Sequence, residues 1–388
     1  MSIIPAIADA APVLTQWRRQ LHTHPELAFE EHSTAAFIAS TLATLGIEVH
    51  RGLGGTGVVG TVRGARPGIS IGFRADMDAL PMNEENDFTH RSQHAGRAHA
   101  CGHDGHVVAL LGLAQYLSQH PPATGTVQLI FQPAEETASG AQRMIDDGLF
   151  ERFPCDEIYA FHNMPLFAPG TVGIRPGPVL TGYAIWQVDI EGVGGHGAAP
   201  HKAADPLQAA ARLAIEISAI VGRFVDPMQP AVISACSLHA GTSYNVIPSR
   251  AELSGTLRGL SQATQDLLLH RLCEACAALE LSSGCKIACR VVHQCPPCVN
   301  ADGPAKLAQL ACADVVGAAN VLQDHPALPF TDDFSHLLEQ RPGAYLFIGQ
   351  SGVMCHHATY DFDDALLPIA ASIFACIVQR RLNQSAPQ

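Results

Sequence analysis

Residues 99 to 106, HACGHDGH, concentrate side chains that could do chemistry. Three histidines, a cysteine and an aspartate fall within eight positions, and two glycines separate them. Thiolate and imidazole are common metal ligands, which makes Cys101 and His103 candidates. A cysteine near histidines could equally act as a thiol nucleophile, and residues of this kind also begin ordinary helices. The motif alone leaves these three interpretations open.

Other potential ligands follow apolar runs that are typical of buried strands. Asp76 and Asp78 close the run ISIGFRADMD, Glu135 and Glu136 follow TVQLIFQPA, and His162 lies near the end of EIYAFHNM. Ligands bind beyond the carboxyl ends of strands in open α/β sheets, so we expect these side chains to meet at one edge. Their convergence with the opening motif predicts a metal centre.

The mixture of ligand types indicates which ions would fit. Thiolate, imidazole and carboxylate groups together suit zinc, with manganese, cobalt or nickel as alternatives. Two adjacent glutamates suggest that one binds the ion while the other transfers protons. Consecutive strand residues face opposite ways, so Glu135 and Glu136 can share a site only if the strand ends before them, and Pro133 favours such an end.

Strand and helix patterns alternate over residues 1–181, which predicts an α/β fold with a mostly parallel sheet. Over 182–294 the order becomes β-α-β-β-α-β, which predicts an inserted ferredoxin-like domain. The first pattern returns over 295–388. We therefore expect a discontinuous catalytic domain, 1–181 with 295–388, interrupted by a smaller one.

Composition excludes some classes of partner. The formal net charge of −13 disfavours binding to nucleic acid or to anionic membranes. No uninterrupted apolar run is long enough to span a bilayer. The N-terminus lacks a basic region ahead of an apolar core, so a cytoplasmic location is expected, with the twelve cysteines mostly reduced.

Seven motifs carry a resemblance to a known family. In chain order they are WRRQLHTHPELAFEE, IGFRADMDALPM, HACGHDGH, FQPAEE, GVGGHGAAPH, NVIP and CHHATYDFDD. They resemble the metal-dependent aminoacylase and carboxypeptidase superfamily, in its branch of hippurate hydrolases, N-acyl-amino-acid amidohydrolases and indole-acetyl-amino-acid hydrolases. The resemblance implies a small-molecule N-acyl amino acid as substrate, cleaved by a hydroxide that bridges two divalent ions. It also implies an inserted lid that forms a homodimer or a higher homo-oligomer.

The resemblance also assigns roles to individual residues. Glu135 would be the general base, and His196 would stabilise the oxyanion from the other subunit. The implied metal ligands are Cys101, His103, Glu136, His162 and His356. His356 is chosen over His357 because the family ligand lies four residues before an aromatic residue, here Tyr360.

Two further residues are expected to bind the substrate. Arg258 could bind a carboxylate through two hydrogen bonds, and Asn245 could orient the acyl oxygen or the carboxylate.

The chain departs from the family pattern in a few places. Many relatives carry leucine where this chain has Cys355, and proline where it has Ala358. The segment TDDFS stands where a Glu-Asp pair is usual.

Three alternatives remain open. A dipeptidase or carboxypeptidase could use the same dimetal scaffold, and a cysteine hydrolase could use Cys101 as nucleophile. The third is a zinc-binding interaction protein, because CEAC and CPPC match the spacing of a zinc ribbon. Cys273 and Cys276, however, fall on the apolar stripe of a predicted helix, which favours small core residues.

Overall fold

The computed structural model describes residues 1–382 and divides them into two compact units. Unit 1 comprises Met1–Val179, Val299–Pro326 and the described residues from Asp332 onward. Unit 2 comprises Leu180–Cys298 and Ala327–Thr331. Residues 383–388, which end the predicted segment 295–388, lie outside the described part.

The first segment of unit 1 contains helices and strands in alternation. They are α1 Pro5–Thr23, α2 His32–Thr44, β1 Glu48–Leu53, β2 Gly57–Arg63, β3 Arg66–Asp76, α3 His103–Gln119, β4 Thr124–Gln132, α4 Gly140–Asp146, α5 Leu149–Arg152, β5 Glu157–Met164, β6 Val172–Gly173 and β7 Gly177–Leu180. Helix α3 begins directly after the motif residues Cys101 and Gly102. Its middle, from Val107 to Ala114, is apolar on all sides, and the helix is buried over most of its length.

Unit 2 contains the inserted elements. They are β8 Gly182–Glu191, β9 Gly195–His196, α6 Pro206–Phe224, β10 Ala231–Ala240, β11 Val246–Ile247, β12 Arg250–Gly259, α7 Gln262–Ser283 and β13 Lys286–Cys295. The long strands form an antiparallel sheet in the order β10-β12-β8-β13. Burial alternates along β8, because one face of the sheet packs against α6 and α7. This β-α-β-β-α-β arrangement confirms the predicted ferredoxin-like fold of the insertion.

The last segment completes unit 1. Its elements are β14 Cys298–Asn300, α8 Asp302–Val316, β15 Val321–Leu322, α9 Phe334–Gln340, β16 Gly343–Gly349 and α10 Leu366–Leu382. Helix α10 is almost wholly buried and packs against α1, α3 and α8. No helix of the described chain combines the length and the apolarity that crossing a bilayer demands.

An eight-stranded sheet forms the centre of unit 1, in the order β1-β2-β4-β3-β5-β16-β6-β15. Strands β4, β3, β5 and β16 run parallel, whereas β2 is antiparallel to both of its neighbours, β1 and β4. Strand β6 is antiparallel to β16 near the other edge. The predicted α/β fold is confirmed, with a mixed sheet whose parallel strands form its middle.

Candidate metal centre

The parallel strands β3, β4 and β5 deliver three of the predicted ligand segments to one edge of the sheet. Strand β3 ends at Asp76 and β4 ends at Gln132, and His162 lies two residues before the end of β5. The three strands are adjacent and parallel, so their carboxyl ends point the same way. The structure thus brings together residues that are widely separated in the sequence.

The motif at 99–106 approaches the same edge through a sharp turn. Gly102 has φ +98°, and a Cβ atom there would clash with the side-chain amide of Asn163 and the hydroxyl of Tyr360. Only glycine fits this position without strain. The turn leads into α3, with Cys101 just before the helix and His103 as its first residue.

The two glutamates share the site because the chain turns after β4. Ala134 has φ +53°, and the backbone amides of Glu135 and Glu136 each donate a hydrogen bond of 3.0 Å to one oxygen of the Asp78 carboxylate. The carboxylates of both glutamates consequently face His103, at 3.8 and 3.9 Å from its Nε2 atom. The two glutamates were expected to share a site only if the strand ended before them, and this turn meets that condition.

The predicted donor atoms form overlapping groups. Those of Cys101, His103 and His162 lie within 4.8 Å of one another, and those of Cys101, Glu136 and His356 do the same. The Cys101 Sγ atom is 3.3 Å from Nε2 of His162, and Glu136 Oε2 is 3.4 Å from Nε2 of His356. All five predicted ligands therefore meet, and the two groups share Cys101.

A bound cation would satisfy buried polar atoms that hydrogen bonds leave without a partner. Nε2 of His103 and Oε1 of Glu136 are buried and have no hydrogen-bond partner among the described residues. An unsatisfied buried polar atom costs roughly 1–3 kcal/mol, so both atoms call for a ligand. The backbone carbonyl of Asp78 accepts a hydrogen bond from Nδ1 of His103 at 2.9 Å, which leaves Nε2 as the lone-pair donor.

Electrostatics point the same way. Burial, followed by the charges of Asp332 and Glu136, raises the pKa of Glu135 well above its ordinary value. Burial also raises the pKa of Glu136, although His103 opposes this effect. Several carboxylates packed together repel one another, and a bound divalent cation would relieve that repulsion.

Behind the glutamates lies a buried ion network that the sequence prediction missed. The Arg74 guanidinium donates to Asp76 at 2.7 Å and to Asp333 at 3.0 Å, and it lies 3.0 Å from Asp332. The hydroxyl of Tyr345 donates to Asp332 at 2.6 Å. The signal was an arginine inside the otherwise apolar run ISIGF-R-A, since a buried charge requires partners.

The last predicted ligand depends on a loop between β16 and α10. His356 has φ +67°, and its amide donates to the carbonyl of Ala100 at 2.7 Å. This bond fixes His356 beside the motif and near Glu136. The neighbouring His357 instead pairs its Nδ1 atom with the hydroxyl of Thr359 at 2.9 Å.

The other predicted site residues belong to unit 2. His196 in β9 pairs with Val246 in β11, and its Nδ1 atom accepts a hydrogen bond of 3.0 Å from the amide of Ala198. His196 and Asn245 both line an exposed groove of unit 2. Arg258 lies on β12, where its guanidinium stacks on Tyr183 and donates to Thr331 at 3.0 Å. Hence unit 2 brings His196 and Asn245 together and holds Arg258 on a different strand.

The cysteines of the zinc-ribbon pattern occupy ordinary structural positions. Cys276 is buried in α7, and Cys295 and Cys298 are buried near the end of β13. Cys273 is exposed on α7. Within residues 1–382, no three of these cysteines form a compact group of metal-ligand atoms.

Comparison with known proteins agrees with this geometry. A model of the peptidase family M20/M25/M40 matches residues 72–380, and the chain belongs to this family. The hippurate hydrolase of Campylobacter jejuni is 35% identical over 384 residues, covering 99% of this chain and 100% of that protein. Thermostable carboxypeptidase 2 of Saccharolobus solfataricus is 34% identical over 398 residues, covering 99% of this chain and 100% of that protein.

A solved structure extends the comparison. The Bacillus subtilis YXEP protein, described as a dinuclear metal-binding peptidase of the M20 family, superposes with a TM-score of 0.85 at 29% identity, covering 97% of this chain and 99% of that one. The predicted family branch and the prediction of a metal-dependent amidohydrolase are confirmed.

Proposed function

We propose that this enzyme hydrolyses the amide bond of N-acyl amino acids of the hippurate or N-acetyl type, releasing a carboxylic acid and a free amino acid. The observation that carries the proposal is the convergence of the five predicted metal ligands around Glu135, whose carboxylate lies 3.8 Å from Nε2 of His103. The proposed centre holds two divalent ions per subunit, and zinc, manganese, cobalt and nickel are the candidates.

The protein groups can be given distinct tasks. When bound, divalent ions polarise the substrate carbonyl and make water a better nucleophile at neutral pH. Glu135 takes the proton of the attacking water and transfers it to the nitrogen of the leaving amine, so that the proton count balances. In the metal-free chain burial raises the pKa of Glu135, which favours the proton-accepting half of this role. Asp78 holds its backbone in place.

Substrate binding is proposed to use residues of unit 2. The amide of Ala198 donates to Nδ1 of His196, so the neutral ring carries its proton on Nε2 and can donate to an oxyanion. In the proposal His196 acts across a homodimer, and Asn245 orients the acyl oxygen or the carboxylate. Arg258 binds the free carboxylate, since its fork of donors matches that group.

A metal-reconstitution assay tests the proposal. The purified protein is stripped with a chelator, its metal content is measured, and hydrolysis of hippurate, N-acetyl amino acids and dipeptides is compared after adding each candidate ion. We expect about two ions per chain and activity on acyl amino acids that is lost on stripping and restored by metal. Activity that survives the chelator and disappears on thiol alkylation would instead indicate a cysteine hydrolase.

A carboxypeptidase is the second candidate, because a relative of nearly equal identity carries that name. Both reactions would require the same metal centre and a free substrate carboxylate, so the site in unit 1 does not separate them. The substrate panel does. Efficient cleavage of dipeptides without cleavage of hippurate would favour the carboxypeptidase.

A further inference from the structure

A second thiol, from Cys355, lies beside the proposed ligand Cys101. Cys355 immediately precedes His356, and its Sγ atom is 3.7 Å from the carbonyl oxygen of Cys101. The side-chain amide of Asn163 contacts the same sulfur at 3.6 Å. Cys355 therefore packs directly against the residue that carries the proposed ligand thiol.

The backbone brings the two cysteines close enough for a covalent bond. The amide of His356 donates to the carbonyl of Ala100 at 2.7 Å, so the peptides that adjoin the two cysteines lie side by side. A disulfide requires the Cα atoms of its cysteines to lie within about 4.4–6.8 Å of each other. The hydrogen bond between the adjoining peptides and the 3.7 Å approach of the Cys355 sulfur to the Cys101 carbonyl favour such a bond.

The two thiols differ in exposure. Cys101 is buried, whereas Cys355 is only partly buried and is the easier of the two for a small oxidant to reach. We therefore expect Cys355 to react with an oxidant before Cys101 does.

We propose that Cys101 and Cys355 form an oxidation site, at which a peroxide converts the two thiols into a disulfide. Cys101 can then no longer bind a metal ion. Hydrogen peroxide oxidises the Cys355 thiol to a sulfenic acid and releases one water. The Cys101 thiol then attacks that sulfur, forming the disulfide and releasing a second water. In total the thiols lose two electrons and two protons, and the peroxide gains them.

The consequence for metal binding rests on the proposed function. A sulfur engaged in a disulfide is no longer a thiolate and cannot bind an ion. Because Cys101 belongs to both ligand groups of the centre, its oxidation weakens both at once. A dithiol reductant should restore the thiols and allow reloading with zinc.

Peptide mapping of the whole chain tests the covalent step. Reduced protein, in zinc-loaded and metal-free forms, is treated with hydrogen peroxide, alkylated and digested. We expect a linked peptide pair containing Cys101 and Cys355 that separates on reduction. No pair is expected in Cys355→Leu, and an unchanged pair is expected in the control Cys236→Ser, which removes an exposed thiol in unit 2. Wild-type protein without the linked pair in either form would overturn the proposal.

Zinc release measured with a chromogenic chelator tests the consequence. Peroxide should release zinc from Cys355→Leu about tenfold more slowly than from wild type, since Cys101 then lacks its partner thiol. Equal rates of zinc release from wild type and Cys355→Leu would show that a disulfide between Cys101 and Cys355 does not cause the loss of metal. If Cys355→Leu does not fold, Cys355→Ala takes its place. A chain that binds no zinc would contradict the proposed function, while the map of the metal-free chain would still decide on the disulfide.

Discussion

The carboxylate of Asp78 accepts a hydrogen bond of 3.0 Å from the backbone amide of Glu135. Its second oxygen accepts from the amide of Glu136 at the same distance, and its own backbone carbonyl accepts from the ring of His103. One aspartate therefore fixes the proposed base and two proposed ligands. Outer-layer partners of this kind tune metal affinity and activity although they need not touch the metal.

We expect Asp78→Asn to disturb the site without unfolding the chain. An asparagine side chain would turn an NH₂ group towards one of the two backbone N–H donors, so that one of the two bonds is lost. Metal affinity or kcat/KM should fall about 10- to 100-fold. Metal titration and steady-state kinetics measure both. Asp147→Asn is the matched control, because Asp147 also accepts from a backbone amide, that of Gly54 at 2.8 Å. Equal behaviour of the two variants would contradict a special role for Asp78.

The two adjacent glutamates should respond differently to the same substitution. Glu135→Gln removes the proposed proton carrier, so kcat should fall about 10²- to 10⁴-fold while the metal content stays unchanged. Glu136→Gln removes a proposed ligand that contacts His356 at 3.4 Å, so the metal content itself should fall. Each variant is the control for the other when elemental analysis accompanies the kinetics. Normal turnover by metal-loaded Glu135→Gln would rule it out as the base.

Adjacent histidines provide a similar comparison. His356 is directed towards Glu136 by its hydrogen bond to Ala100, whereas His357 pairs with Thr359. His356→Ala should lower zinc affinity at least about tenfold, and His357→Ala should leave it nearly unchanged. Competition with a fluorescent zinc chelator measures both affinities. A larger loss in His357→Ala would reverse the assignment.

The sequence predicted the parts of the site that follow regular elements. His162 lies in β5, which spans Glu157–Met164 as the run EIYAFHNM indicated, and the turn before Glu135 follows the predicted end of β4. Period-two patterns and strand ends are local properties, so they can be read from a single chain. The edge of the sheet at which the proposed ligands meet follows from the parallel order of these strands.

Other parts depend on contacts that leave no local pattern. Arg74 meets Asp332 and Asp333 across more than 250 residues of sequence, and no periodicity records that pairing. The loop that carries Cys355 and His356 is irregular and has a residue with positive φ. Such a loop is fixed by its tertiary hydrogen bonds rather than by propensity. The approach of the Cys355 sulfur to Cys101 at the proposed metal centre could therefore be seen only in the folded chain.

Beneath the motif, a buried network makes stability depend on pH. His22 lies between Asp104, whose carboxylate is 2.8 Å from its Nδ1 atom, and Glu84 at 3.2 Å from its Nε2 atom. Burial alone would lower the pKa of His22, but the Asp104 charge and the hydrogen bonds to Asp104 and Glu84 outweigh burial and raise it from 6.5 to about 9. The folded chain therefore favours the protonated ring.

The direction of the pH effect follows from that raised pKa. The stabilisation from protonated His22 is fully present below pH 6.5, the unfolded value, and is lost as the pH rises through about 9. A shift of this size corresponds to about 3 kcal/mol at most. The free-energy difference between wild type and His22→Gln, from urea unfolding of the metal-free chain, should thus shrink from pH 6 to pH 9.5. His24→Asn, at the exposed end of α1, controls for the loss of a histidine. A difference that stays constant or grows with pH would exclude a charged His22 in the folded protein.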